Sequence, residues 1–109
     1  MRAAASGLDQ VFHALADPTR RAMLGRLAEG DCRIGELAAP FAMSLAAASK
    51  HVRVLEQAGL VRRRVEGRVH HCGLEAGPLR DAQAWLAHYQ RFWTARLDTL
   101  EALLRDDET

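Results

Sequence analysis

The chain has 109 residues, 49% of them apolar and 27% charged, with a formal net charge of +1. That length suits one domain around one core, and no apolar run approaches the roughly 20 residues that a membrane-spanning helix needs. Residues Met1 to Gly7 lack the charged region and apolar core of a secretory signal, so a cytoplasmic location and no membrane partner are expected. The total charge says nothing of nucleic acid, but its distribution does. Between Ser44 and His71 six basic residues stand against two acidic ones, a local +4; between Asp98 and Thr109 five acidic residues stand against one arginine, a local −4. A basic middle with an acidic end suits a domain that meets phosphates on one face.

In chain order, Leu8, Val11, Phe12 and Leu15 fall at helical spacing and predict a first helix of about two turns over residues 8–16. Asp17-Pro18 then reads as a helix start, with Asp as N-cap and Pro at the first helical position, where its missing N–H costs nothing. The second helix carries Met23, Leu24 and Leu27 inward and stops at Gly30. Asp31 is placed to cap a short third helix with Ile34, Leu37 and Ala38 toward the core, ended by Pro40. After a turn at 41–43, Ser44 is a good N-cap for the fourth helix, with Met43 and Ala48 placed as a hydrophobic staple. Ala48, Val52 and Leu55 form its inward stripe. Gly59 supplies a left-handed C-cap, and Leu60 folds back on Leu55 in a Schellman ending.

Leu60 to Val65 and Arg68 to Leu74 are β-capable runs joined by Glu66-Gly67, which predicts a hairpin over residues 60–74. Gly77-Pro78 starts a last helix that meets no breaker before the acidic tail. Trp85, Leu86, Tyr89, Phe92, Trp93, Leu97, Leu100 and Leu104 follow a helical repeat there. A continuous helix over 78–105 would be about 40 Å long, more than a single domain with a radius of gyration of about 13 Å covers. The surplus apolar stripe predicts a homodimer. Its interface is assigned to Leu8, Val11, Phe12, Trp85, Tyr89, Phe92, Trp93, Leu97 and Leu100.

Residues 33–58 have the layout of a helix-turn-helix whose second helix enters a major groove. With Ala48, Val52 and Leu55 inward, its outer face carries Ser44, Ala46 or Ala47, Ser49, Lys50 and Arg53. Lys50 and Arg53 reach guanine edges or phosphates, Ser44 and Ser49 hydrogen-bond phosphate or base, and Ala47 allows apolar contact with thymine methyls. A solvated helix with ordinary surface cations would look similar. The hairpin that follows decides between them, because Arg62, Arg63, Arg64 and Arg68 surround its tip. Such a wing lies along the DNA backbone with an arginine at the minor groove. The expected architecture is mainly α with a small β-hairpin, a single winged helix-turn-helix domain over 1–109 that dimerises through its terminal helices. The expected partners are double-stranded DNA and a second copy.

The stretches LADPTRRAMLGRLAEG, IGELA and SLAAASKHVRVLEQAGLVRRRVEGRVHH resemble the ArsR/SmtB family of winged helix-turn-helix repressors. The terminal WLAHYQRFWTARLDTLEALL resembles a branch with a Trp-rich last helix. The resemblance implies a homodimeric repressor that binds an imperfect palindrome and is released by a signal. Its DNA-reading positions fall on Ser44 to Arg53 and the wing. Many members have Gln, Pro and Thr where this chain has Leu45, Ala46 and Ala47, which shifts weight from base readout toward phosphate contacts and DNA shape.

Metal-sensing relatives carry a cysteine pair at the start of the third helix, where this chain has Arg33 and Gly35, so the family's usual metal site is missing. Cys32, His70 and Cys72 are weaker ligand candidates, since alternate residues of a strand share a face. No cofactor or metal is assigned. In a reducing compartment the two cysteines read as small, partly buried thiols, with a metal- or thiol-responsive variant of the repressor as the alternative. A winged-helix module for protein contact is a further alternative, disfavoured because it has no need of four clustered arginines. No catalytic motif is present, so the chain is not read as an enzyme.

Overall fold

A computed structural model describes the backbone of residues 2–108 and the side chains of residues 7–107; Met1 and Thr109 of the expected 1–109 domain lie outside the described residues. The elements are α1 (Arg2–Leu15), α2 (Pro18–Glu29), β1 (Cys32–Arg33), α3 (Ile34–Ala38), α4 (Leu45–Gln57), β2 (Val61–Glu66), β3 (Val69–Leu74), α5 (Gly77–Ala87) and α6 (Gln90–Glu108). Helices α1–α4 and a three-stranded antiparallel sheet of order β1-β3-β2 enclose the core. Met23, Leu37, Val52, Leu55, Leu60 and Cys72 are fully buried there.

The helix starts follow the local chemistry. The Asp17 carboxylate accepts the Arg20 N–H at 3.0 Å, with Pro18 at the first turn of α2. That backbone donor, with the Arg20 charge, holds the carboxyl below its ordinary value. Arg20 in turn donates Nε to the Ala14 carbonyl at 2.8 Å and Nη2 to the His13 carbonyl at 2.9 Å, while Arg21 donates to Leu15 O at 2.7 Å. Two guanidinium groups thus close the C-terminus of α1, where the helix dipole favours positive charge.

Helix α4 ends as expected. Gly59 adopts φ +76°, its N–H reaches Glu56 O at 2.9 Å, and the Leu60 N–H reaches Leu55 O at 2.9 Å, which is the Schellman bond pair.

Four expectations need correction. The first helix is longer than 8–16, since Arg2–Leu15 is helical. Asp31 does not cap α3; Arg33 is the N-cap, and the Glu36 carboxylate accepts its N–H at 2.9 Å. The residues just before α3 instead form the short strand β1, paired with β3. The hairpin tip is Gly67-Arg68, one residue later than expected, because Glu66 pairs with Val69. Gly67 has φ +62° and Arg68 a negative φ, the pattern of a type II′ turn with glycine first.

The fourth correction is the largest. The last helix is not continuous over 78–105: it breaks at His88-Tyr89 into α5 and α6. Neither proline nor glycine is responsible. The His88 and Tyr89 N–H groups bond three residues back, to Trp85 O and Leu86 O, and the His88 ring nitrogen lies 3.1 Å from the same Trp85 carbonyl. Three-residue bonding tightens the turn and diverts the chain. Phe12, Trp85, Tyr89 and Phe92 stack successively across the break, with centroids 5.5, 5.1 and 6.2 Å apart.

Candidate nucleic-acid interface

Helix α3, the turn and α4 make the helix-turn-helix, and the inward stripe of α4 is as expected, with Ala48, Val52 and Leu55 all fully buried. The opposite face is open. Ser44, Ala46, Lys50 and Arg53 are exposed, and Ala47 and Ser49 half-buried. The Ser44 hydroxyl oxygen accepts the Ala47 N–H at 3.1 Å, which fixes the start of α4 and leaves its own proton available for an outside acceptor. Among the described residues neither Lys50 nor Arg53 has an ion-pair or hydrogen-bond partner.

The sheet register sorts the arginines that sequence spacing left together. Residues opposed in an antiparallel pair share a face. Arg33, His71 and Arg64 form one row across all three strands on the outer face, with Arg62 beside them. Each of these arginines has a carboxylate beside it. Arg33 meets Glu36 at 3.3 Å, Arg62 pairs with Glu75, Arg64 pairs with Glu66, and His71 lies 3.9 Å from Glu66. Arg68, at the hairpin tip, has no such partner among the described residues.

Arg63 lies on the inner face, opposite Cys72. Its guanidinium donates to Glu56 on α4 at 2.6 Å and lies 3.2 Å from His70 Nδ1. This half-buried pair joins α4 to the wing, and Arg63 is thereby unavailable to phosphates. Arg20 likewise reaches His51 on α4 at 3.4 Å, with Asp17 4.0 Å from the same ring nitrogen. Sequence reading missed both ties. His51 is half-buried, and its partner Arg20 is 31 residues away, where no spacing rule names it.

The other candidates are placed as follows. His70 and Cys72 do share the inner face, but Cys72 is fully buried and His70 faces Arg63. Among the described residues no three His, Cys, Asp or Glu side chains come together as a metal site would require. Of the residues assigned to the dimer seam, Val11 lies in the chain's own core and Leu8 and Phe12 at its edge. Trp85, Tyr89, Phe92, Trp93, Leu97 and Leu100 are exposed, Trp93 by 47% and Leu97 by 60%. No helix is long and apolar enough to cross a membrane among the described residues.

This arrangement is also found in known proteins. Residues 15–64 match a helix-turn-helix domain family. The chain is 41% identical over 100 residues to the HTH-type transcriptional regulator Rv2034 of Mycobacterium tuberculosis, covering 92% of this chain and 90% of that protein. It is 32% identical over 82 residues to the transcriptional repressor SdpR of Bacillus subtilis, covering 75% and 91%. Among solved structures, the ArsR family transcriptional regulator RHA00566 superposes with a TM-score of 0.77 at 46% identity, covering 83% of this chain and 93% of that one. The homodimeric winged helix-turn-helix DNA-binding domain of Mb0332 from Mycobacterium bovis superposes with a TM-score of 0.65 at 26% identity, covering 83% and 85%. With its helix-turn-helix, its arginine-bearing wing and these relatives along most of its length, the chain belongs to the ArsR/SmtB family of winged helix-turn-helix transcriptional regulators.

Proposed function

We propose that the protein works in the cytoplasm as a homodimeric repressor, that it binds a palindromic operator, and that it has no catalytic role. The observation that carries this reading is that, of the lysine and arginines on α4 and the wing, Lys50, Arg53 and Arg68 have no carboxylate partner among the described residues, whereas Arg62, Arg63 and Arg64 do. Ser44, Ala47 and Ser49 line the same helix face and give it hydrogen-bonding and methyl-contact groups. Arg62 and Arg64 add phosphate contacts once DNA displaces Glu75 and Glu66 from them. The dimer follows from the exposed stripe of α5 and α6, which a second copy covers, and a two-fold protein suits a two-fold DNA site.

The test is fluorescence anisotropy with the DNA upstream of the protein's own gene, against a scrambled duplex, at two salt concentrations. Binding to the upstream DNA is expected to be tighter by roughly a thousandfold, with a steep salt slope. Equal, weak binding to both duplexes would refute a site-specific repressor of its own gene, and no binding at low salt would remove DNA altogether.

A further inference from the structure

Two thiols 40 positions apart in the chain stand directly opposite each other in the sheet: Cys32 of β1 is paired with Cys72 of β3. Directly opposed residues of an antiparallel pair have Cα atoms about 4.5 or 5.5 Å apart, depending on which kind of pair they form. Both separations fall within the roughly 4.4–6.8 Å that a disulfide accepts. Both thiols are free in this structure. They differ in access. Cys72 is fully buried, whereas Cys32 is half-buried and opens on a hollow of about 230 Å³ lined by Arg26, Glu29, Gly30 and Asp31.

The third member of the row is Arg63, opposite Cys72 on β2. Its Nε is buried with no hydrogen-bond partner, while its terminal nitrogens hold Glu56 and His70. The row therefore runs from the strand before α3, through the middle of the wing, to the ion pair that fastens α4.

We propose that Cys32 and Cys72 form a reversible intramolecular disulfide that weakens DNA binding, so that the regulator responds to thiol oxidation. This rests on the DNA-binding reading above. The oxidant is a low-molecular-weight disulfide. The accessible Cys32 thiolate attacks it, forming a mixed disulfide and releasing one small thiol. The Cys72 thiolate then attacks the Cys32 sulfur, forming the protein S–S bond and releasing the second small thiol. Two cysteine S–H groups are oxidised, one small disulfide is reduced, and the two protons leave on the released thiols. A disulfide holds its Cβ atoms roughly 3.5–4.5 Å apart, against about 4.5–5.5 Å in an open pair. Closure thus draws β3 toward β1 and away from β2, the strand whose Arg63 holds Glu56 of α4.

Burial pushes both thiols above their ordinary range, more than Arg26 beside Cys32 and Arg63 beside Cys72 pull them down. Glu36, Asp31 and Glu56 nearby act in the same direction as burial. Exchange is therefore slow at neutral pH, and the test belongs at mildly alkaline pH.

The protein is incubated with oxidised glutathione, digested without reduction and mapped by mass spectrometry, while a parallel sample is titrated with upstream DNA. A Cys32–Cys72 linked peptide is expected, with about tenfold weaker binding, inside the usual 5–150-fold range of coupling between sites. Reductant should restore the affinity, and Cys32→Ser, at the half-exposed position, should abolish the response without altering the reduced protein's affinity. Cys72→Ser repeats the test at the buried position. Glutathione left on Cys32 alone, two free thiols, or bridges only between chains would overturn the disulfide. A mapped bridge with unchanged affinity would overturn its regulatory role. Absence of DNA binding by the reduced protein would instead refute the DNA-binding reading, with the peptide map still deciding whether the bridge forms.

Discussion

The body of the molecule and its C-terminal arm are built from the same kinds of residue and end in opposite conditions. From Val11 to Ala82 the apolar stripes of α1–α5 and the inner face of the sheet meet one another and are buried. From residue 83 to residue 107 no described residue is buried, although Trp85, Phe92, Trp93, Leu97, Leu100, Leu103 and Leu104 lie there. The whole chain has a radius of gyration of 18.7 Å and extends 67 Å along its longest axis, well above the roughly 13 Å of a compact domain this size. Helical periodicity specifies which side of a helix is apolar; it does not specify that the same chain will cover it. In the body the partner is internal. In the arm the described residues leave that side uncovered.

The most forceful way to break this contrast is to remove the arm's apolar groups. The double change Trp93→Ala and Leu97→Ala should abolish the dimer at micromolar concentration, read by sedimentation velocity. Burial of each such side chain is worth about 1.5–3 kcal/mol, and in a two-fold interface every change acts twice. The body should stay folded, with its near-native helix content and a cooperative thermal transition. A sedimentation profile that does not change would show that the arm is not the seam.

A change inside the body should act on stability instead. Arg63→Ala leaves Glu56 half-buried without its cation and releases the wing from α4, at a cost of about 2 kcal/mol in chemical denaturation. An exposed ion pair would give far less, so a loss below about 0.5 kcal/mol would show that the Glu56–Arg63 contact does not fasten the two elements.

The smallest effects come from the surface cations, and they separate the paired from the unpaired. Arg68→Ala should lower the slope of log affinity against log salt by about 0.9. Arg64→Ala should lower it by less, because Arg64 must first leave Glu66. Equal changes for both would mean that breaking the Glu66 pair costs Arg64 nothing in its contact with DNA.

Much of the body was legible in the sequence because its determinants are local. The Asp17-Pro18 start, the Ser44 cap, the Gly59 ending and the stripe of Ala48, Val52 and Leu55 each depend on residues within a turn or two of each other, and each is found in place. The exposed side of α4 followed from that stripe by elimination. What was not legible depends on register or on distant partners. Four wing arginines look alike in sequence, but one step along a strand reverses the face, so Arg63 is drawn inward to Glu56 while Arg62 and Arg64 face out. The two-residue strand β1 is too short to show periodicity, and only its pairing with β3 brings Cys32 to Cys72. The break at His88 had no breaker residue to announce it.

That break has a mechanical meaning. Helix α6 has 19 residues and is about 28 Å long, and it leaves the body through a single turn of three-residue hydrogen bonds flanked by stacked rings. It is a lever with a short fulcrum. A rotation of about 10° at His88-Tyr89 would carry its far end through about 5 Å, a sizeable fraction of the roughly 34 Å between successive turns of a DNA groove. In a two-copy assembly the packing of Trp85 on Phe12 and of Tyr89 on Trp85 would therefore govern how far apart the two reading helices stand.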